Sequence, residues 1–283
     1  MAQSITNAFV TLFDAEVKQA YQGESSLLNC VRLRQGVQGN TYKFPKLGKG
    51  SATARIPQTD VTPLNVTYSQ VTASMSDYNA AEYSDIFHQA KVNFDERQEL
   101  VQVVSKAIGR RMDQLIIDGL DAASSPSTVA KTVVTSGSAA ASNLNVGKLI
   151  AAKKALDAKN VPFDDRHIVV HANNLSGLLG DERAISGDFA TVKALVSGEI
   201  NTFLGFRFYI LGDRDEGGLP LSTNDRTCYA FHRSSIGMAV NMAQKTEINY
   251  VPEKTSFLVN SMFSAGAVAI DDEGIVKITC DES

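Results

Sequence analysis

The segment that most limits this chain's options is one that a compact core cannot absorb. Residues 42–63, YKFPKLGKGSATARIPQTDVTP, carry Lys43, Lys46, Lys49 and Arg55, with no acid until Asp60. Gly48, Gly50, Pro45, Pro57 and Pro63 interrupt regular structure across it, and large apolar residues are few. The return arm, LNVTYSQVTASM, alternates. Leu64, Val66 and Tyr68 share one face, and after a one-residue slip Val71, Ala73 and Met75 share one. Alternation marks a half-buried strand, and the slip marks a bulge. With Tyr42 and Phe44 on one face of the first arm, the spacing predicts a long β-hairpin with an irregular basic tip. Arms of roughly ten residues reach ~33 Å. A two-stranded ribbon of that length is not stable by itself, so it must lie on something.

The flanks are helical. Ile5, Phe9, Leu12, Phe13, Val17 and Tyr21 fall at helical spacing, with Ser4 or Thr6 as cap and Gly23 as stop. That helix needs a neighbour for its apolar stripe, in the same chain or in another. Residues 24–40 read as loop and short strand. After the hairpin, NFDERQELVQVVSKAIGRRMDQLIIDGL (93–120) opens on a capping box of Asn93 and Glu96. Leu100, Val104, Ala107, Ile108, Met112, Leu115 and Ile116 form one stripe, and Gly119 supplies a stop. A helix of ~24 residues is ~36 Å long, about twice the usual length. Gly109 in its middle costs about 1 kcal/mol against Ala and leaves room for a close backbone.

Residues 121–142 are small and polar, a linker-like shift that marks the best domain boundary. A short helix follows over 146–158, with Val146, Leu149, Ile150 and Leu156 inward. HIVVH (167–171) reads as a buried strand feeding a turn or helix near Leu175–Leu179, and Phe206–Leu211 as another strand. Two short strands flank Ser234 and Ser235. The end is strongly β: Phe257–Phe263, Ala267–Ile270 and Ile275–Cys280, with DDEG as a turn.

Composition closes off several classes. At 283 residues the chain holds one large domain or two small ones. A 43% hydrophobic and 20% charged content excludes wholesale disorder, and a net charge of -4 excludes a generally basic nucleic-acid coat. Cys30, Cys228 and Cys280 make neither a disulfide framework nor a CxxC site, which points to a reducing compartment. The amino terminus lacks the basic start and apolar run of a signal peptide, and no window reaches the ~18 apolar residues of a membrane span. The expected setting is cytoplasmic, with no membrane contact.

Candidate chemistry is thin. His167 and His171 have the i, i+4 spacing of helical zinc ligands, but Ile168, Val169 and Val170 favour a strand, which sets them ~13 Å apart. Asp164–Asp165 and Asp271–Asp272 read as solvated turns. Cys228 and His232 are too far apart on a strand for a dyad. The glycines of KLGKGSATAR fit neither phosphate-loop pattern, and no nucleophile elbow is present. No catalytic, cofactor-binding or metal site is therefore assigned, and no cofactor. The basic hairpin has two readings, contact with nucleic acid or with protein. Sparse aromatics and the acidic remainder of the chain favour protein.

The order of parts carries a resemblance. An amphipathic arm, a long basic hairpin, one very long helix, a small-residue linker, an α/β module and closing strands together resemble the major capsid proteins of tailed bacteriophages. LVSGEINTFLGFRFYIL (195–211), in which a helix gives way to a strand through Gly198 and Gly205, is similar to a stretch common in that family. KTEINY followed by FLVNSMFSAGAVAIDDEGIVKI is similar to its closing strands. The likeness covers nearly the whole chain.

The resemblance implies a mixed α+β chain of the Hong Kong 97-like fold. It divides the chain into an N-terminal arm (1–35), an extended β-hairpin or E-loop (36–75), and a P-domain (76–135) with a long spine helix over 94–119. An α/β A-domain (136–240) and closing strands (241–283) shared by both domains complete it. The implied role is structural, not enzymatic: self-assembly into an icosahedral head around double-stranded DNA. Inter-subunit contacts are expected from Tyr42, Lys43, Phe44, Lys46, Lys49 and Arg55 of the hairpin and from Phe9, Leu12, Phe13 and Val17 of the arm. Spine-helix packing is expected from Leu100, Val104, Ile108, Met112 and Leu115. Implied partners are many copies of the chain in hexamers and pentamers, a portal protein, a decoration protein and weakly held DNA. Because the chain starts at the arm, a separate scaffolding protein is implied too. Localisation would be the virion, after assembly in the host bacterial cytoplasm. The rival readings are a cytoplasmic α/β enzyme and a nucleic-acid-binding module that uses the hairpin.

Overall fold

The computed structural model describes residues 22–61, 63–91, 95–135, 137, 139–180, 202–214 and 216–283. The expected arm helix with Phe9, Leu12, Phe13 and Val17, the cap residue Asn93 and Gly198 lie outside them.

Two sheets share the body. The first stacks four strands around one long helix. From the amino end, a 3₁₀ turn at Leu28–Cys30 leads into β1 (Arg32–Gln35), and the hairpin is β2 (Thr41–Leu47) and β3 (Tyr68–Ser74). Next come β4 (Ser76–Asp85), the single turn α1 (Ile86–Gln89) and the long helix α2 (Glu96–Asp121). Two long strands near the other end, β11 and β12 (Ile236–Val251 and Ser256–Ala269), complete this sheet in the order β1-β11-β12-β4. Only β1 joins in parallel, beside Gly237–Val240.

Helix α2 starts where Asp95 accepts the Arg97 amide at 3.1 Å. Its apolar stripe faces the sheet, and polar arms reinforce the contact. The Arg111 guanidinium lies 4.6 Å from the Tyr78 ring centre and that of Arg97 lies 4.8 Å from Phe257. Gly119 does not stop the helix. It is buried, and a Cβ there would meet Ala267 of β12 at 3.3 Å, so it lets the last turn sit low on the strand.

The second sheet has seven strands. β5 (Ser127–Val129), β6 (Arg166–His171), β7 (Thr202–Phe203), β8 (Phe206–Leu211), β9 (Leu221–Ser222), β10 (Asp225–His232) and β13 (Ile275–Asp281) form it. The order is β5-β13-β10-β6-β8-β7, with β9 on the edge of β10. Helices α3 (Val146–Ala158) and α4 (Ala172–Leu179) belong to the same part of the chain. β6 is buried along its whole length, which is why it reads as an unbroken apolar run. One apolar core runs through both sheets, from Ile108, Met112 and Ile116 of α2 to Leu149 of α3 and Phe231 of β10.

Several expectations need correction. The small-residue stretch is not a free linker, because β5 pairs with β13 and the Ser142 amide bonds back to Lys131. Ile150 is 52% exposed, and the inner positions of α3 are Val146, Leu149, Ala152 and Leu156. Lys148 is the surprise. It is fully buried and donates to the carbonyls of Ser142 and Thr279. Ser256–Ala269 form one strand, not two, and the strand after Ser235 is sixteen residues long.

Candidate assembly surface

The hairpin is shorter and better anchored than the alternation suggests. Its ladder runs without a bulge from Thr41 opposite Ser74 to Leu47 opposite Tyr68. Seven residues per arm reach ~23 Å. Leu64 and Val66 precede the strand, and the slip after Tyr68 falls inside a regular ladder. Beyond the ladder, the described residues of 48–67 form no strand and are held across their base by the Gly48 amide on Thr67.

Phe44 fixes the ribbon to its own body. Its ring is 1% exposed and packs with Val37, Ala73, Ala239 and Ile270 in a small core separate from the main one. Tyr42 meets it edge-on at 4.8 Å. The return arm can lie flat because Gly266 of β12 sits under Ser74, where a Cβ would strike the Ser74 carbonyl. Phe44 therefore serves its own subunit instead of reaching outward as expected.

Charge adds two tethers. Lys46 Nζ lies 2.9 Å from Asp271, and Lys49 Nζ lies 2.5 Å from Glu273. Both acids belong to the turn between β12 and β13. The Lys49–Glu273 hydrogen bond raises the lysine pKa and lowers that of the glutamate. These pairs are solvent-screened and worth little in isolation. Lys43 and Arg55 make no ion pair among the described residues and stand exposed. Exposed with them are Leu47 (60%), Ile56 (64%), Val61 (90%), Leu64 (55%) and Tyr68 (81%).

The expected helix residues fall on the sheet side of α2. Val104, Ile108 and Met112 are buried, and Leu100 and Leu115 are half-buried. A second bare surface went unread in the sequence. It holds Ile248 and Tyr250 on one face of β11; Tyr83 of β4 is exposed on the opposite face of that sheet, and Ile86 and Phe87 are exposed on α1. Its signal was the alternation in NMAQKTEINY, where Ile248 and Tyr250 share a face.

A cleft of about 710 Å³ lies between the start of the described chain and the loop after β8. Gln22, Arg110, Asp213, Arg214, Glu216 and Arg226 line it. Two of its arginines are paired with acids outside the lining. Arg226 grips Glu282 at 2.6 Å and Arg214 grips Asp113 at 3.2 Å. His171 lies 3.0 Å from Asp213 at the cleft's inner side, and its Nδ1 accepts the Asn173 amide to cap α4. His167, on the same strand, instead packs beside Tyr209 and Phe231. No cluster of metal-ligating side chains exists among the described residues. Cys30, Cys228 and Cys280 are free and buried. No helix among the described residues is long and apolar enough to cross a membrane.

Comparison with known proteins gives a consistent result. A family model described as phage capsid protein matches residues 5–282. No curated protein matches significantly. Among solved structures, the capsid of cyanophage P-SCSP1u matches with a TM-score of 0.77 at 16% identity, over 100% of this chain and 96% of that one. The head of Helicobacter pylori bacteriophage KHP40 matches at 0.79 and 11% identity, over 99% of both chains. The acid-stable capsid of Helicobacter pylori bacteriophage KHP30 matches at 0.77 and 12% identity, over 99% of this chain and 98% of that one.

Proposed function

Because this chain belongs to the phage capsid protein family, as a major capsid subunit of Hong Kong 97-like fold in an icosahedral virion shell, we propose that each copy completes its neighbours through the surfaces it leaves bare. The observation that carries this reading is the distal hairpin. Nearly all the described residues of 48–67 stand exposed, and Val61 at 90% exposure is the extreme. An apolar surface held out on an anchored arm is a surface waiting for a partner.

In this reading residues 36–75 are the E-loop. The four-stranded sheet with α2 is the P-domain, and the seven-stranded sheet with α3 and α4 is the A-domain. Lys43 and Arg55 meet acidic surface on an adjacent copy, while Lys46 and Lys49 hold the arm's bearing. Phe9, Leu12, Phe13 and Val17 of the arm supply further apolar contact, to a neighbouring α2 or to a scaffolding protein. Pentamers and hexamers of the chain close the shell, with a portal protein at one vertex and decoration protein outside. Weak individual contacts add up over several neighbours. Packaged double-stranded DNA is held loosely, in keeping with a net charge of -4. Assembly takes place in the host bacterial cytoplasm, and the subunit performs no catalytic turnover.

Deleting residues 50–61 tests this directly. Size-exclusion chromatography and negative-stain microscopy should find a folded subunit that no longer closes shells. Normal shells from the shortened chain would remove the hairpin from the mechanism.

A further inference from the structure

The middle of α2 is a crossing of three chain segments, and one carboxylate holds them. Asp113 is 0% exposed. Its oxygens accept from the Ser25 hydroxyl at 2.9 Å, the Leu27 amide at 3.1 Å and the Ser26 amide at 3.1 Å. Arg214, from the loop after β8, adds a fourth donor at 3.2 Å. Ser25–Leu27 and Arg214 lie about 90 and 100 residues away in sequence, on opposite sides of α2 in the chain.

The neighbouring residues are shaped for the same crossing. Gly109, one turn before Asp113, would place a Cβ 3.3 Å from the backbone nitrogen of Ser25. Gly217 has a φ of +75°, and a Cβ there would lie 2.7 Å from the Arg110 carbonyl. The helix thus admits a backbone on each side of Asp113. Polar pairs flank it: Arg110 to Gln22 at 3.1 Å, Lys106 to Glu24 at 3.5 Å, and the Gly217 amide to Gln114 at 2.8 Å. A buried carboxylate in mid-helix does nothing for the helix itself, and its desolvation is costly unless donors surround it. All four donors come from outside the helix.

We infer that Asp113 is a positioning residue that fixes where, and in which direction, the amino-terminal arm leaves the body of the subunit, and couples that exit to the loop after β8. The inference rests on the capsid reading for its consequence, since an arm bridging copies must leave each at a set angle for a shell to close. The crossing itself does not depend on that reading.

The test is Asp113→Asn in the full chain, followed by amide hydrogen exchange and by counting shells under negative stain. The amide side chain keeps one acceptor and turns a donor toward the other pair of partners. The Ser26 and Leu27 amides should then exchange unequally, with at least one about tenfold faster than in the parent. The exchange of the α2 core amides should stay within about twofold, and closed shells should give way to open or misshapen ones. Unchanged exchange at both amides overturns the inference. So does faster exchange with normal shells, which would leave an arm tether without a positioning role. Should Asp113→Asn not fold, Ser25→Ala and Arg214→Gln each remove one donor. Faster exchange at Ser26 or Leu27 together with loss of closed shells in either supports the inference; no change in both, or faster exchange with normal shells, refutes it. Absence of shells from the parent chain would count against the capsid reading and leave the exchange comparison standing.

Discussion

At the scale of single residues, burial decides the chemistry more than residue type does. His167 is 4% exposed, and both its ring nitrogens lack hydrogen-bond partners. Desolvation lowers its pKa to about 4 from an ordinary 6.5. Between those values the unfolded chain binds a proton that the folded chain refuses. Stability therefore falls as pH drops from about 6.5 to about 4, then levels off for this group. His232, also lowered by burial, slopes the same way. His167→Leu should flatten part of the acid limb of melting temperature against pH; an unchanged slope would refute this account. Residue-scale facts were the least legible in the sequence. Lys148 reads as a solvent-facing helix lysine and is buried because two backbone carbonyls need a donor there. Ile150 reads as core and faces water, since it lies ~100° round the helix from Leu149. Periodicity finds a stripe, but not which residue at its margin turns inward.

At the scale of elements, the sequence was most readable where one face is plainly apolar. α3 and β8 lie where spacing and β-branching put them, and α2 is displaced by two residues. Lengths were misread where one element passes under another. β12 continues through Ser264, Ala265 and Gly266 because those small residues make room for the hairpin. Phe44→Ala should remove about 3–5 kcal/mol of packing. Because that small core is separate, the expected result is rapid amide exchange over 41–47 and 68–74 while the main core keeps its transition. Gly266→Val should give the same pattern by collision with Ser74. By contrast Lys49→Gln should leave the melting temperature unchanged, because that pair is screened by solvent. If Lys49→Gln loosened the hairpin as much as Phe44→Ala, the anchor would be electrostatic and this ranking wrong.

At the scale of the whole molecule, the order of parts was legible and the way they close was not. Nothing in the composition showed that β13 leaves the first sheet to become an inner strand of the second, or that β5 would join it. Such pairings join residues up to about 150 positions apart, and local spacing carries no record of them. The surface was legible only in part. The basic hairpin announced itself through glycine, proline and lysine, whereas the exposure of Phe87 and Tyr250 shows only in three dimensions. Replacing both by serine should leave the subunit's melting temperature nearly unchanged. If these rings are buried between copies, shells of the double variant should come apart at lower denaturant than the parent's; equal shell stability would show that they stay wet.

The turn that receives Lys46 and Lys49 is also the strap between the two sheets, leaving one as β12 and entering the other as β13. Lys46 lies one residue before Leu47, the last paired residue, so a tilt between the sheets is delivered at the outer end of the ladder and carries the loop beyond it. Small strains in one half of the subunit are thus converted into displacement at its periphery, where the next copy would register them.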